Sequence, residues 1–221
     1  MIQQRILPVI GMLILLLPIG MYNVSSAQIV LVTGFEPFGN VTVNPSQLIA
    51  EALNGSVIDD AEIVGLVLPV DFNESAKIAT DMIEHYHPVL VISLGLNARA
   101  RCIEIEKIGI NLKRYLKDDG SQTVPQRIDI SGPFFRFSSI HTLDIVRKIR
   151  EANISAQQSY FAGTYVCNAL FYQVLGYVNE QNSVIKIGFI HVPLLDSQDQ
   201  DGMSLQNMVN AAKITIQTCL E

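Results

Sequence analysis

The chain has no tryptophan, three cysteines in 221 residues, and little charge, with 15 lysines and arginines against 21 aspartates and glutamates. Each scarcity removes a class of protein. Three cysteines cannot staple a disulfide-built miniprotein. A formal charge of −6 leaves no basic field to grip a phosphate backbone, so no nucleic acid partner is expected. Fourteen glycines and nine prolines are too few for a collagen-like or low-complexity chain. No apolar run reaches the roughly 20 residues of a spanning helix, because the stretch from Ile6 to Met21 is short and broken by Pro8, Gly11 and Pro18. What is present is 49% hydrophobic residues, enough for one well-buried core.

The apolar excess gathers first at the N-terminus. One charge at Arg5, the uncharged run to Met21, and the small residues Ser25-Ser26-Ala27 have the form of an export leader. Cleavage after Ala27 is expected, leaving residues 28–221 as a single exported or secreted domain. The alternative is an uncleaved leader, and only then would the protein contact a membrane. Four sequons follow the leader, at Asn40, Asn54, Asn73 and Asn153, which fits a glycosylating compartment.

Beyond Ala27, short β-rich apolar runs alternate with helical periodicity. Strands are expected at Gln28–Thr33, Glu62–Leu68, Val89–Leu94, Tyr160–Thr164 and Val184–Val192. Helices are expected at Ser46–Leu53 with Ser46 as N-cap, Asn73–Tyr86, His141–Ala152 with Leu143, Val146 and Ile149 inward, Asn168–Val178, and Ser204–Leu220. Ile103, Ile105, Ile108 and Ile110 alternate with other residues, but their parity slips by one at Glu106 and Lys107, which predicts a bulge or loop crossing there. Lys113–Phe137, rich in Asp, Gly and Pro, reads as a long irregular excursion. The alternation predicts an α/β fold, a three-layer α/β/α sandwich around a twisted, mostly parallel sheet.

Cys167 lies between a turn sequence and an apolar helix, where the unpaired N–H groups and helix dipole favour the reactive thiolate. His191 ends an apolar strand just before Val192-Pro193, so both side chains belong at a carboxyl edge of the sheet, where open α/β folds keep their sites. A Cys and a His so placed form a nucleophile and base pair if their elements are neighbours. A carboxylate is then needed to orient the imidazole. Glu104, Glu106, Asp71 and Asp196 all remain open on pattern alone. His85, His87 and His141 read as solvated, with no cluster of metal-ligand spacing, so neither a metal nor another cofactor is expected. Cys102 and Cys219 are candidates for a disulfide in an oxidising compartment, leaving Cys167 free.

Six segments, in order, resemble one family. They are Thr33-Gly34-Phe35-Glu36-Pro37-Phe38-Gly39, Asn44-Pro45-Ser46, Leu68-Pro69-Val70, Glu106-Lys107-Ile108-Gly109-Ile110-Asn111, Ala162-Gly163-Thr164-Tyr165-Val166-Cys167-Asn168 and Gly188-Phe189-Ile190-His191-Val192-Pro193. Together they resemble pyroglutamyl peptidase I, or pyrrolidone carboxyl peptidase, from about Ile29 to the C-terminus. That resemblance implies a cysteine exopeptidase acting on peptides with N-terminal pyroglutamate through a thioester. It implies Cys167 as nucleophile, His191 as base and then acid, and Glu106 as the orienting carboxylate. Phe35 and Phe38 match the family's lactam-ring pocket, with Val70, Tyr165 and Val166 contributing by position. Members are often homo-oligomers, although nothing in this sequence marks an interface. Three departures stand out. The glycine-rich turn is Gly95-Leu96-Asn97-Ala98-Arg99-Ala100-Arg101 with its arginines displaced, Lys107 replaces an Arg, and the loop after Asn111 is shortened. An altered substrate, or a binding protein without catalysis, are the competing readings.

Overall fold

The computed structural model describes residues 28–115 and 121–221. The expected leader and its cleavage point therefore lie outside the described residues, as does part of the shortened loop. Among the described residues no helix is long and apolar enough to cross a membrane.

In chain order the elements are β1 (Gln28–Phe35), α1 (Pro45–Leu53), β2 (Val57–Ile58), β3 (Ala61–Leu68), α2 (Glu74–Tyr86), β4 (Leu90–Leu96), β5 (Ile103–Glu106), β6 (Ile108–Ile110), β7 (Phe135–Phe137), α3 (Thr142–Glu151), β8 (Ala156–Ser159), α4 (Val166–Glu180), β9 (Lys186–Val192) and α5 (Leu205–Leu220). The main sheet has the order β2-β3-β1-β4-β9-β5-β8. Its centre, β3-β1-β4-β9, is parallel, β5 runs antiparallel to β9, and β8 runs parallel to β5. β4 is buried along its whole length, as a central strand covered by helices on both faces must be.

Two apolar layers flank the sheet. Ile49 of α1, Ile145 of α3 and Met208 of α5 pack on one face, while Ala79 of α2 and Leu170 of α4 pack on the other. This is the expected three-layer α/β/α sandwich.

Several local expectations are corrected. Asn44, not Ser46, caps α1: its side chain accepts from the Ser46 N–H at 3.1 Å, and Pro45 takes the first helical turn, where its missing N–H costs nothing. The Ser46 hydroxyl instead accepts from the Phe35 N–H at 3.1 Å, tying the start of α1 to the end of β1. Leu143 is 70% exposed, and Ile145 joins Val146 and Ile149 as the buried stripe of α3. The strand expected at Tyr160–Thr164 is a loop; the real strand is β8, four residues earlier, whose sequence Ala-Gln-Gln-Ser suits a half-exposed edge. The parity slip is a change of sheet. β5 ends at Glu106, and β6 pairs with β7 in a separate two-stranded ribbon. All three cysteines are free, so the Cys102–Cys219 disulfide is not formed.

Candidate active site

Residues 97–102 and the ends of β1, β3, β4 and β9 meet at one rim of the sheet. Register places His191 of β9 beside Gly95 of β4 and opposite Glu104 of antiparallel β5. Two residues further along β5, Glu106 lies opposite Phe189, so Glu104, Glu106, Phe189 and His191 share a face by strand periodicity. The geometry then separates the two glutamates. Glu104 is fastened by Asn97 Nδ2 and Gln157 Nε2, each donating at 2.9 Å. Glu106 is fully buried and its Oε1 lies 2.8 Å from His191 Nδ1. Of the other carboxylates left open, Asp71 is exposed and accepts the Asn73 and Glu74 N–H groups at the start of α2, and Asp196 is exposed.

Cys167 reaches the same spot from the opposite direction. Tyr165 is the N-cap of α4, making Cys167 the second residue of the helix, among the N–H groups a helix leaves without an internal acceptor. A Cβ built at Gly95 would sit 2.7 Å from the Cys167 Sγ and 3.0 Å from the Phe189 ring. Glycine is thus required there so that the sulfur can lie against β4. Asn168 holds this arrangement: its Oδ1 accepts the Ile110 N–H, and its Nδ2 donates to the Ile110 and Leu112 carbonyls, all at 2.9 Å. The helix turn bearing Cys167 is thereby pinned to the segment just after Glu106.

His191 is 5% exposed. Burial opposes its charge, but interaction with the Cys167 sulfur and the Glu106 carboxylate outweighs that penalty and pushes its pKa up to about 10. The imidazole is therefore held toward its charged form between the Glu106 carboxylate and the Cys167 sulfur, an arrangement suited to nucleophilic catalysis by sulfur. Glu104, Glu106 and His191 place candidate ligand atoms within 4.8 Å of one another. Both Glu104 oxygens and His191 Nδ1 are engaged in protein hydrogen bonds, so this cluster is built as a hydrogen-bond network.

In front of the sulfur lies a cavity of about 340 Å³. Phe35, Phe38, Val70, Tyr165 and Val166, the five residues singled out in the sequence, all line it together with Cys167 and His191. Glu106 stands behind the imidazole, away from the cavity. Tyr165 packs edge-on to Phe72 at 5.5 Å and tilted to Phe38 at 6.4 Å, which fixes one wall. Sequence reasoning missed Asn44, Leu96, Asn97, Arg99, Phe161, Ala162 and Gly163 as lining residues. Asn44 and Arg99 stood inside noted motifs, whereas Phe161 was hidden by the misassigned strand.

The model of the pyroglutamyl peptidase family matches residues 28–221. The chain belongs to that family. Pyrrolidone-carboxylate peptidases of Vibrio vulnificus and Yersinia pestis are each 37% identical over 199 residues, covering 87% of this chain and 92% and 93% of theirs. Among solved structures, pyrrolidone carboxyl peptidase from Thermococcus litoralis matches with a TM-score of 0.82 at 30% identity, covering 87% of this chain and 93% of that one. A mutant of the enzyme from Pyrococcus furiosus matches with a TM-score of 0.82 at 33% identity, covering 87% and 98%. This pyroglutamyl peptidase family member is a cysteine peptidase.

Proposed function

We propose that the chain removes an N-terminal pyroglutamyl residue from peptides, with Cys167 as nucleophile, His191 as base and then acid, and Glu106 as the group orienting the imidazole. The observation that carries this reading is the buried 2.8 Å contact between His191 and Glu106, with Cys167 on the cavity side of the same imidazole. A pyroglutamyl ring is small, flat and uncharged, and it suits a slot walled by Phe35, Phe38 and Tyr165. No Asp or Glu is among the described residues lining that slot. A free α-ammonium would have to shed water there without a counter-ion, at a cost of several kcal/mol (~2 or more), so ordinary N-termini are rejected.

The sulfur attacks the scissile carbonyl, and the new oxyanion is received by the Cys167 N–H at the start of α4. The tetrahedral intermediate collapses to a thioester as His191 delivers its proton to the departing amine. Neutral His191 then takes a proton from water, whose oxygen attacks the thioester; the C–S bond breaks to release free pyroglutamate, leaving the sulfur anionic beside the regenerated imidazolium. Glu106 keeps Nδ1 protonated and faces it throughout, so the opposite ring nitrogen serves the reaction.

The test is turnover of a fluorogenic pyroglutamyl coumarylamide by the purified chain and by Cys167→Ser. Turnover abolished by the substitution is the expected result. No turnover in the unaltered chain, with rapid iodoacetamide labelling of Cys167, would instead favour another small amide or lactam substrate. We also propose that the domain works outside the cytoplasm. The leader pattern supports this, as do four sequons whose asparagines, at positions 40, 54, 73 and 153, are all exposed. Recovery in the exported fraction tests it, and retention in the cytoplasm with the leader intact would refute it.

A further inference from the structure

The cavity has two chemically different flanks. β4 is bordered by β1 on one side and β9 on the other. Phe35 ends β1, and Phe38 and Val70 follow β1 and β3, so the aromatic slot lies on the β1 side of Cys167. The other flank is made by residues 97–102, which connect β4 to β5. Because β9 lies between those strands, the connection must cross the end of β9, and the Asn97 N–H donates to the Val192 carbonyl there at 3.0 Å. A substrate with its ring in the slot therefore sends its departing chain toward residues 97–102. His191, the proton donor to that chain, is on the same flank.

Arg99 lies on this connection, exposed and lining the cavity. Its backbone N–H is held by Asn97 Oδ1 at 3.2 Å, and Asn97 is itself held by Glu104. The Arg99 guanidinium forms no hydrogen bond or ion pair with any described residue. Other described cations are committed: Arg101 reaches Asp201 at 3.4 Å, Lys113 lies over the Phe72 and Tyr115 rings at 5.7 and 5.6 Å, and Arg114 Nη1 donates to Gln122 Oε1 at 3.4 Å. Among the described residues lining the cavity, Arg99 thus offers an unengaged cation on the leaving side.

We infer that Arg99 is a specificity-determining residue that reads a carboxylate on the first leaving residue. This inference rests on the pyroglutamyl reading above. The carboxylate has two sources: the α-carboxylate of a pyroglutamyl dipeptide, or the side chain of an acidic residue after pyroglutamate. Both present planar oxygens that a guanidinium fork can engage. Arg99 is exposed to water, so the gain is modest, up to about fivefold in kcat/KM.

Four substrates separate the sources, using the full chain: pyroglutamyl-alanine as the free acid and as its amide, and the amides of pyroglutamyl-glutamate and pyroglutamyl-glutamine. Each variant is read as a ratio of acid to neutral substrate, which cancels any general loss of activity. The unaltered chain is expected to prefer an acid over its neutral counterpart, and the gap should narrow as salt rises. Preference in the alanine pair identifies the terminal carboxylate, and preference in the glutamate pair identifies the side chain. Arg99→Gln should bring the ratio to one, Arg99→Glu should invert it, and Arg99→Lys should keep part of it. Equal turnover of all four substrates, or a preference that survives Arg99→Glu, overturns this inference and leaves pyroglutamyl hydrolysis standing. Turnover of none of them overturns both.

Discussion

Replacing Glu106 by Gln keeps the side chain's shape and removes its charge, which makes it a sharp probe of the imidazole. Glu106 Oε1 sits 2.8 Å from His191 Nδ1 with the carboxylate fully buried, and Oε2 has no hydrogen-bond partner among the described residues. A hydrogen bond to a charged group contributes about 1.5–3 kcal/mol. Felt in the transition state, its loss lowers kcat by about 10- to 150-fold. The same loss destabilises the imidazolium, so the His191 pKa falls from about 10 by about one to two pH units. The sign follows from which form is charged. His191 is raised, so the stability it contributes is complete below its unfolded value of about 6.5 and is lost as pH climbs through its folded value. Catalysis needs the imidazolium as acid, so the alkaline limb of kcat/KM should move to lower pH in the variant, and Tm should fall in neutral buffer. KM should change little, because Glu106 does not line the cavity. Steady-state kinetics from about pH 6 to about pH 11 read both quantities. A variant with kcat within twofold of the unaltered chain and an unmoved alkaline limb would refute the role assigned to Glu106.

Other substitutions probe the frame around the sulfur. Gly95→Ala places a methyl 2.7 Å from Sγ and should lower kcat about 100-fold by displacing the nucleophile, with a melting scan to separate this from unfolding. Asn168→Ala removes three hydrogen bonds and strands the Ile110 N–H and the Leu112 carbonyl, while the Ile110 carbonyl keeps the Leu112 N–H; it should lose more than about 2 kcal/mol in a urea titration and lower kcat more than it raises KM. Thiol titration should find three free groups after denaturation. In the folded protein Cys219 should react last, since burial pushes its pKa up to about 11.

The parts of the fold legible in the sequence are those set by local pattern. β4 and β9 are apolar runs of strand length, and α2, α4 and α5 carry clear amphipathic or buried stripes, so the layers followed from periodicity. Cys167 and His191 stood out because each sits where an element starts or ends. Glu106 could not be separated from Glu104 by pattern, since i and i+2 in a strand face the same way. Only the register of β5 against β9, paired across 85 residues for Glu106 and His191, puts one carboxylate on the imidazole and the other on Asn97 and Gln157. Tyr160–Thr164 misled because its aromatic residues have strand propensity, yet Phe161 and Ala162 serve as cavity wall, while the polar β8 is held by pairing with β5. The helix cap was misplaced by two residues because Asn44 and Ser46 are both good caps; Pro45 between them fits only the first helical turn.

The most direct test of the account is to stop a reaction with a pyroglutamyl peptide in acid, before the thioester drains, and map the enzyme by peptide mass spectrometry. The account predicts a pyroglutamyl adduct on Cys167, absent from Cys167→Ser, with Cys102 and Cys219 unmodified. An adduct on another residue, or full turnover by Cys167→Ser, would contradict it.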